Sequence, residues 1–124
     1  MPPNGIKILY HKIKSETMNI NDVLQKFIVL LENEEYFEAH NVFEQVWLEM
    51  KKEHHSCADL ARGLINAAVA FEHIKRDTPT AMTKARKVFA GYTKYRHMCD
   101  DTDCYFESAC KKADEIATRA ELLP

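Results

Sequence analysis

The chain has 124 residues, 46% of them apolar and 29% charged, with a net charge of -2. That length fits one domain, and the composition excludes a wholly disordered chain. The charge lacks the basic excess typical of a nucleic-acid-binding domain, so nucleic acid is disfavoured as a partner.

Only three glycines and four prolines are present. Tight turns are therefore few, and an all-α fold of long helices is predicted over a many-turned β-sandwich. No apolar run approaches the roughly 20 residues needed to span a bilayer, so no membrane association is expected. The start, Met1-Pro2-Pro3-Asn4-Gly5, does not read as a signal peptide. A cytoplasmic protein with Cys57, Cys99, Cys104 and Cys110 as reduced thiols is the resulting expectation.

Residues 1–18 carry no clean period and are predicted to form an N-terminal arm, with residues 19–124 making a single helical domain. The first helix is expected to begin at Asn19 or Asn21, either of which can cap it. Val23, Leu24, Phe27, Ile28, Leu30 and Leu31 follow at helical spacing until Glu32-Asn33-Glu34-Glu35 interrupts the pattern. A second helix is predicted over 36–52, with Tyr36, Phe37, Ala39, Phe43, Val46, Trp47 and Met50 on one broad inner face.

The third helix, from about Cys57 to Lys75, is apolar nearly all the way round. Such a helix is buried all round, so it should be the centre of the bundle, with Gly63, Ala67 and Ala70 permitting close neighbours. Thr78-Pro79 reads as the start of the fourth helix, Thr as cap and Pro in the first turn. A last helix should bury Phe106, Ala109, Cys110, Ala113, Ile116 and Ala117. The expectation is a compact bundle of about five or six helices.

The segment from Tyr36 to Trp47 reads Tyr-Phe-Glu-Ala-His-Asn-Val-Phe-Glu-Gln-Val-Trp. It resembles the hallmark of the domain of unknown function 309 family, Tyr-Phe-Glu-Ala-His-Glu-x-x-Glu-x-x-Trp. A second block, Gly63-Leu64-Ile65-Asn66 followed by Ala67, Ala68 and His73, is similar to the family's Gly-Leu-Ile-Gln block. The resemblance spans roughly Val23 to Tyr95. It implies a compact helical bundle around one central helix and no established activity, members carrying only a loose label as metal-dependent hydrolases. Four departures stand out: Asn41 replaces the usual second glutamate, Asn66 the usual glutamine, Glu34 a frequent glycine, and Arg76-Asp77-Thr78-Pro79 a Gly-Asn-rich turn.

Steps of 100° per residue place Phe37, His40, Glu44 and Trp47 in one sector of the second helix. Arg62, Asn66, Val69 and His73 share a sector of the third. These polar residues on oily helices need partners, and the economical solution is that the two sectors face each other across a seam closed by Gly63.

Two readings of that seam stay open. As a site, His40 and Glu44 are catalytic candidates, Trp47, Arg62 and Asn66 binding candidates, and His40, Glu44 and His73 a three-ligand set that a divalent metal would suit. The chain would then be a small-molecule enzyme, such as a metal-dependent hydrolase. As a latch, the same residues form a buried polar seam that fixes helix register, in a helical interaction or scaffold module of unknown function. The partner is then an unidentified protein, and in the enzyme reading an unidentified small molecule. His54-His55 beside Cys57, and Cys99 and Cys104 near His97, form weaker metal-like patterns without supporting spacing.

Overall fold

A computed structural model describes residues 19–101 and 106–124, with the backbone alone at 99–101. The expected N-terminal arm and the pair Cys99 and Cys104 lie outside the described side chains. The described residues form five α-helices: α1 (Ile20–Glu32), α2 (Tyr36–Lys52), α3 (Ala58–Arg76), α4 (Ala81–Tyr95) and α5 (Phe106–Arg119). A 3-10 helix, Arg96–Asp101, continues from α4. The fold is an all-α bundle without strands among these residues.

The sequence explains most boundaries. Asn19 caps α1, its Oδ1 accepting from the Asn21 and Asp22 amides at 2.9 and 3.3 Å. The α1–α2 break falls within Asn33-Glu34-Glu35, as the interrupted pattern predicts. The start of α4 differs. The Ala81 amide donates to the Thr78 carbonyl at 2.9 Å, so Thr78–Ala81 is a turn with Pro79 in its second position, where its fixed φ fits. The helix begins beyond that turn, with Thr80 as cap residue and no side-chain cap hydrogen bond.

Packing follows from the apolar faces. α3 packs against α2, α4 and α5, and α1 closes the bundle against α2 and α5. Leu60, Ala61, Leu64, Ala67, Ala68 and Ala70 of α3 are fully enclosed. Two aromatic rows tie the helices together. Tyr36 meets Phe71 at 5.5 Å, Phe71 meets Phe89 at 6.0 Å, and Phe89 meets Tyr92 at 5.1 Å between ring centroids. Phe43 stands 5.1 Å from Phe27 and 6.3 Å from Phe106. Tilted and edge-on pairs of this kind add to the stabilisation from buried area.

The glycines of α3 and α4 are placed by packing. A Cβ on Gly63 would stand 3.3 Å from both the Gly91 carbonyl oxygen and Tyr92 Cα. A Cβ on Gly91 would overlap Asn66 Nδ2 and stand 3.2 Å from its Cγ. Gly63 therefore closes α3 onto α4, not onto α2, and Asn66 faces α4. Both points correct the expected seam. Cys110 is buried as expected but is disulfide-bonded, not a reduced thiol, its partner lying outside the described side chains.

Helix ends are closed without glycine. Glu34, His54, Asp77 and Glu121 have φ of 59°, 55°, 53° and 64°. At the first, the Glu35 amide donates to the Leu30 carbonyl at 2.9 Å and the Glu34 amide to that of Leu31 at 3.1 Å, a helix stop that usually carries glycine. Lys75 Nζ donates to the Glu34 carbonyl at 2.7 Å and holds the turn.

Two predictions follow from this backbone. Glu34→Gly should raise stability by about 0.5–1 kcal/mol, since relief of left-handed strain outweighs the added freedom of the unfolded chain; an unchanged or lower urea midpoint would contradict it. Gly91→Ala should destabilise. Removing the obstructing amide in Asn66→Ala/Gly91→Ala should recover about 1 kcal/mol or more as coupling in a double-mutant cycle.

Candidate functional site

The antiparallel run of α2 beside α3 brings together most of the expected residues. On α2, Phe37 sits edge-on to the His40 ring at 6.3 Å. His40 Nε2 lies 3.6 Å from Glu44 Oε2, one helical turn on. Near the other end of the helix pair, Trp47 has the Arg62 guanidinium over its ring at 5.6 Å and Lys51 Nζ at 5.3 Å. Arg62, Val69 and His73 of α3 thus line up along α2, as their shared sector predicts.

The seam is not buried. Among the described residues no polar or charged side chain other than tyrosine is buried, and the His40 and Glu44 side chains are 26% and 42% exposed. Phe37, assigned to the inner face from its angle, is 52% exposed. The reason is position: this side of the α2–α3 junction is the outside of the bundle. The expectation of a buried polar latch is corrected accordingly.

Between the first turns of α2 and the last turns of α3 lies a half-open cleft of about 190 Å³. Tyr36, Phe37 and His40 line it from α2, and Val69, Glu72, His73 and Arg76 from α3. The two imidazoles share this cleft, whereas Glu44 lies outside its lining. Glu72 is engaged by Arg76 Nε at 3.0 Å. Tyr36 lines this cleft and also borders a smaller cavity of about 130 Å³ towards Ile116 and Ala120. Burial first, then the Glu34 carboxylate, raises the Tyr36 phenol above its ordinary range. A broader depression of about 440 Å³ at the α3–α4 turn is lined by one carboxylate, Asp77, and by no aromatic residue.

The expected metal set does not assemble. Among the described residues no group of three or more His, Cys, Asp or Glu is arranged to hold a metal ion, which includes His40, Glu44 and His73. At the His54-His55 turn, His55 Nδ1 accepts from the Cys57 amide at 3.0 Å, so that nitrogen serves the backbone.

The structure supplies a different latch. The phenol of Tyr92, fully buried on α4, donates to Asp114 Oδ1 at 2.6 Å and lies 3.1 Å from the Cys110 carbonyl oxygen on α5. Asp114 Oδ2 in turn accepts from Arg96 Nε at 2.8 Å, and Arg96 Nη2 lies 2.7 Å away. Sequence spacing could not reveal this set, because its two halves, Tyr92 with Arg96 and Cys110 with Asp114, lie 18 residues apart in the chain. The cleft residues Val69, Glu72 and Arg76 were more accessible, since each lies three or four residues from His73 or from another member.

Burial, then the hydrogen bond to Asp114, pushes the Tyr92 phenol well above its ordinary value of 10.0. The folded phenol holds its proton to higher pH than the unfolded one. Its contribution is complete below the unfolded value and declines as pH rises above it. Stability should therefore fall at alkaline pH, and Tyr92→Phe should flatten that fall. Tyr92→Phe should cost about 1.5–3 kcal/mol at neutral pH. His40→Ala should cost under about 1 kcal/mol, as for a partly exposed surface contact. Urea denaturation of both variants checks this, and the reverse order would restore the latch to the α2–α3 seam.

No described helix is long and apolar enough to cross a membrane. No curated protein and no solved structure matches this chain. A family described as a domain of unknown function, DUF309, matches residues 24–85, a span that holds α2, α3 and every residue lining the cleft. The chain belongs to the DUF309 family.

Proposed function

We infer that the chain is a binding module whose α2–α3 cleft receives an apolar, ring-sized group. The cleft itself is the observation that carries this reading. It joins the aromatic rings of Tyr36 and Phe37 and the aliphatic Val69 to the polar groups of His40, Glu72, His73 and Arg76, a combination by which small pockets orient an apolar guest. Its volume of about 190 Å³ falls below the roughly 300–1,000 Å³ of drug-sized sites, which suits one side chain or a one-ring molecule. The half-exposed Phe37 supplies contact area that folding leaves unused.

A second reading, acid–base catalysis, draws on one observation: His40 and His73 line the same cleft. It lacks an ordered nucleophile or an assembled metal set, and Glu44 stands outside the lining. Binding is therefore the better-supported role, with the imidazoles as adjustable hydrogen-bond partners.

Indole tests the site as a one-guest probe. Its titration should move the backbone amide signals of Val69 and His73 in a saturable way. Phe37→Ser should weaken that binding several-fold and leave the fold intact, because the ring is half exposed. Unmoved signals at Val69 and His73 up to the solubility limit of indole would sink this reading.

A further inference from the structure

The cleft is one end of a longer feature. Trp47, with Arg62 and Lys51 over its ring, marks the other end of the same α2–α3 seam. His40 and Lys51 are eleven residues apart on α2, and so are Arg62 and His73 on α3. At 1.5 Å per residue each helix independently sets the two ends about 16 Å apart.

The charges at the two ends differ in kind. At the cleft end Glu72 pairs with Arg76 at 3.0 Å, and the Glu44 carboxylate lies 3.6 Å from the His40 imidazole. At the far end Lys51 and Arg62 stand over the indole ring, and neither forms an ion pair among the described residues. Both are exposed. The seam thus offers an apolar socket at one end and unmatched positive charge at the other. Leu48, 46% exposed, adds apolar surface beside Trp47.

We propose that the α2–α3 seam binds an acidic peptide segment, with one large apolar side chain in the cleft and carboxylates on Lys51 and Arg62. This rests on the cleft being a guest pocket. The span decides the class of partner. A one-ring molecule filling the cleft cannot reach the cations, whereas five extended residues at about 3.3 Å each do so, as do eleven helical ones. Carboxylates suit the far end because Arg62 presents a planar fork and Lys51 a point charge beside it.

The experiment uses the full chain and synthetic peptides. One is extended, Ac-Phe-Ser-Gly-Ser-Ser-Glu-Glu-NH2; the other is alanine-rich and helical, with the same groups eleven residues apart. Each has a control with glutamine for glutamate and another with serine for phenylalanine. Trp47, the only tryptophan in the chain, reports the far end by its emission, and the Val69 and His73 amides report the cleft.

The expected result is that at least one acidic peptide binds roughly five- to tenfold more tightly than its glutamine control, as two surface ion pairs would give. That margin should vanish in Lys51→Glu/Arg62→Glu, whose exposed positions leave the fold intact, and the serine controls should lose binding. Equal affinity of glutamate and glutamine forms overturns the two-point assignment, and the cleft reading stands if indole still moves Val69 and His73. No response at the cleft to indole or to any peptide overturns both.

Discussion

The contact between α3 and α4 sets the rest of the arrangement. Gly63 meets the Gly91 carbonyl and Tyr92 Cα at a separation that leaves no room for an unshifted methyl group. Backbone-to-backbone approach of this kind fixes the helix pair more tightly than larger side chains would. With α4 on one side and α5 on another, α3 has one stripe left to share with α2, the stripe that carries Arg62, Val69 and His73. The position of the cleft is thus a result of where the small residues lie. Tyr92 serves both arrangements, with its backbone against Gly63 and its hydroxyl on α5.

The fold was legible in outline because it rests on periodicity. The limits of α2 and the centrality of α3 came directly from the spacing and coverage of apolar residues. The cap at Asn19 and the helical stop after Glu32 came from local chemistry. The start of α4 was misread because Thr-Pro fits a turn as well as a helix start, and only the Ala81-to-Thr78 hydrogen bond distinguishes them.

The candidate site was legible by sector and not by depth. Helical angles place Phe37, His40, Glu44 and Trp47 together, and the structure agrees for each pair it brings into contact. Angle alone says nothing about whether another helix covers the sector, so Phe37 and the polar residues were expected too deep. Asn66 sits on the border of its sector, where a small rotation decides between α2 and α4; the close approach at Gly91 decides for α4. The Tyr92–Asp114–Arg96 network, the nearest equivalent to the expected latch, depends on a contact between α4 and α5 that no local pattern encodes.

The four non-glycine residues with positive φ bear on how this sequence can vary. A left-handed residue with a side chain is strained by about 1–2 kcal/mol, and four separated sites add nearly independently. Against a typical net stability of about 5–15 kcal/mol, that is a substantial share. Charged and polar residues can occupy these helix stops only while the aromatic rows of the interior remain complete. Interior volume and helix-stop composition are therefore linked traits: a variant that trims Phe71 or Phe43 would gain from glycine at positions 34, 54, 77 or 121.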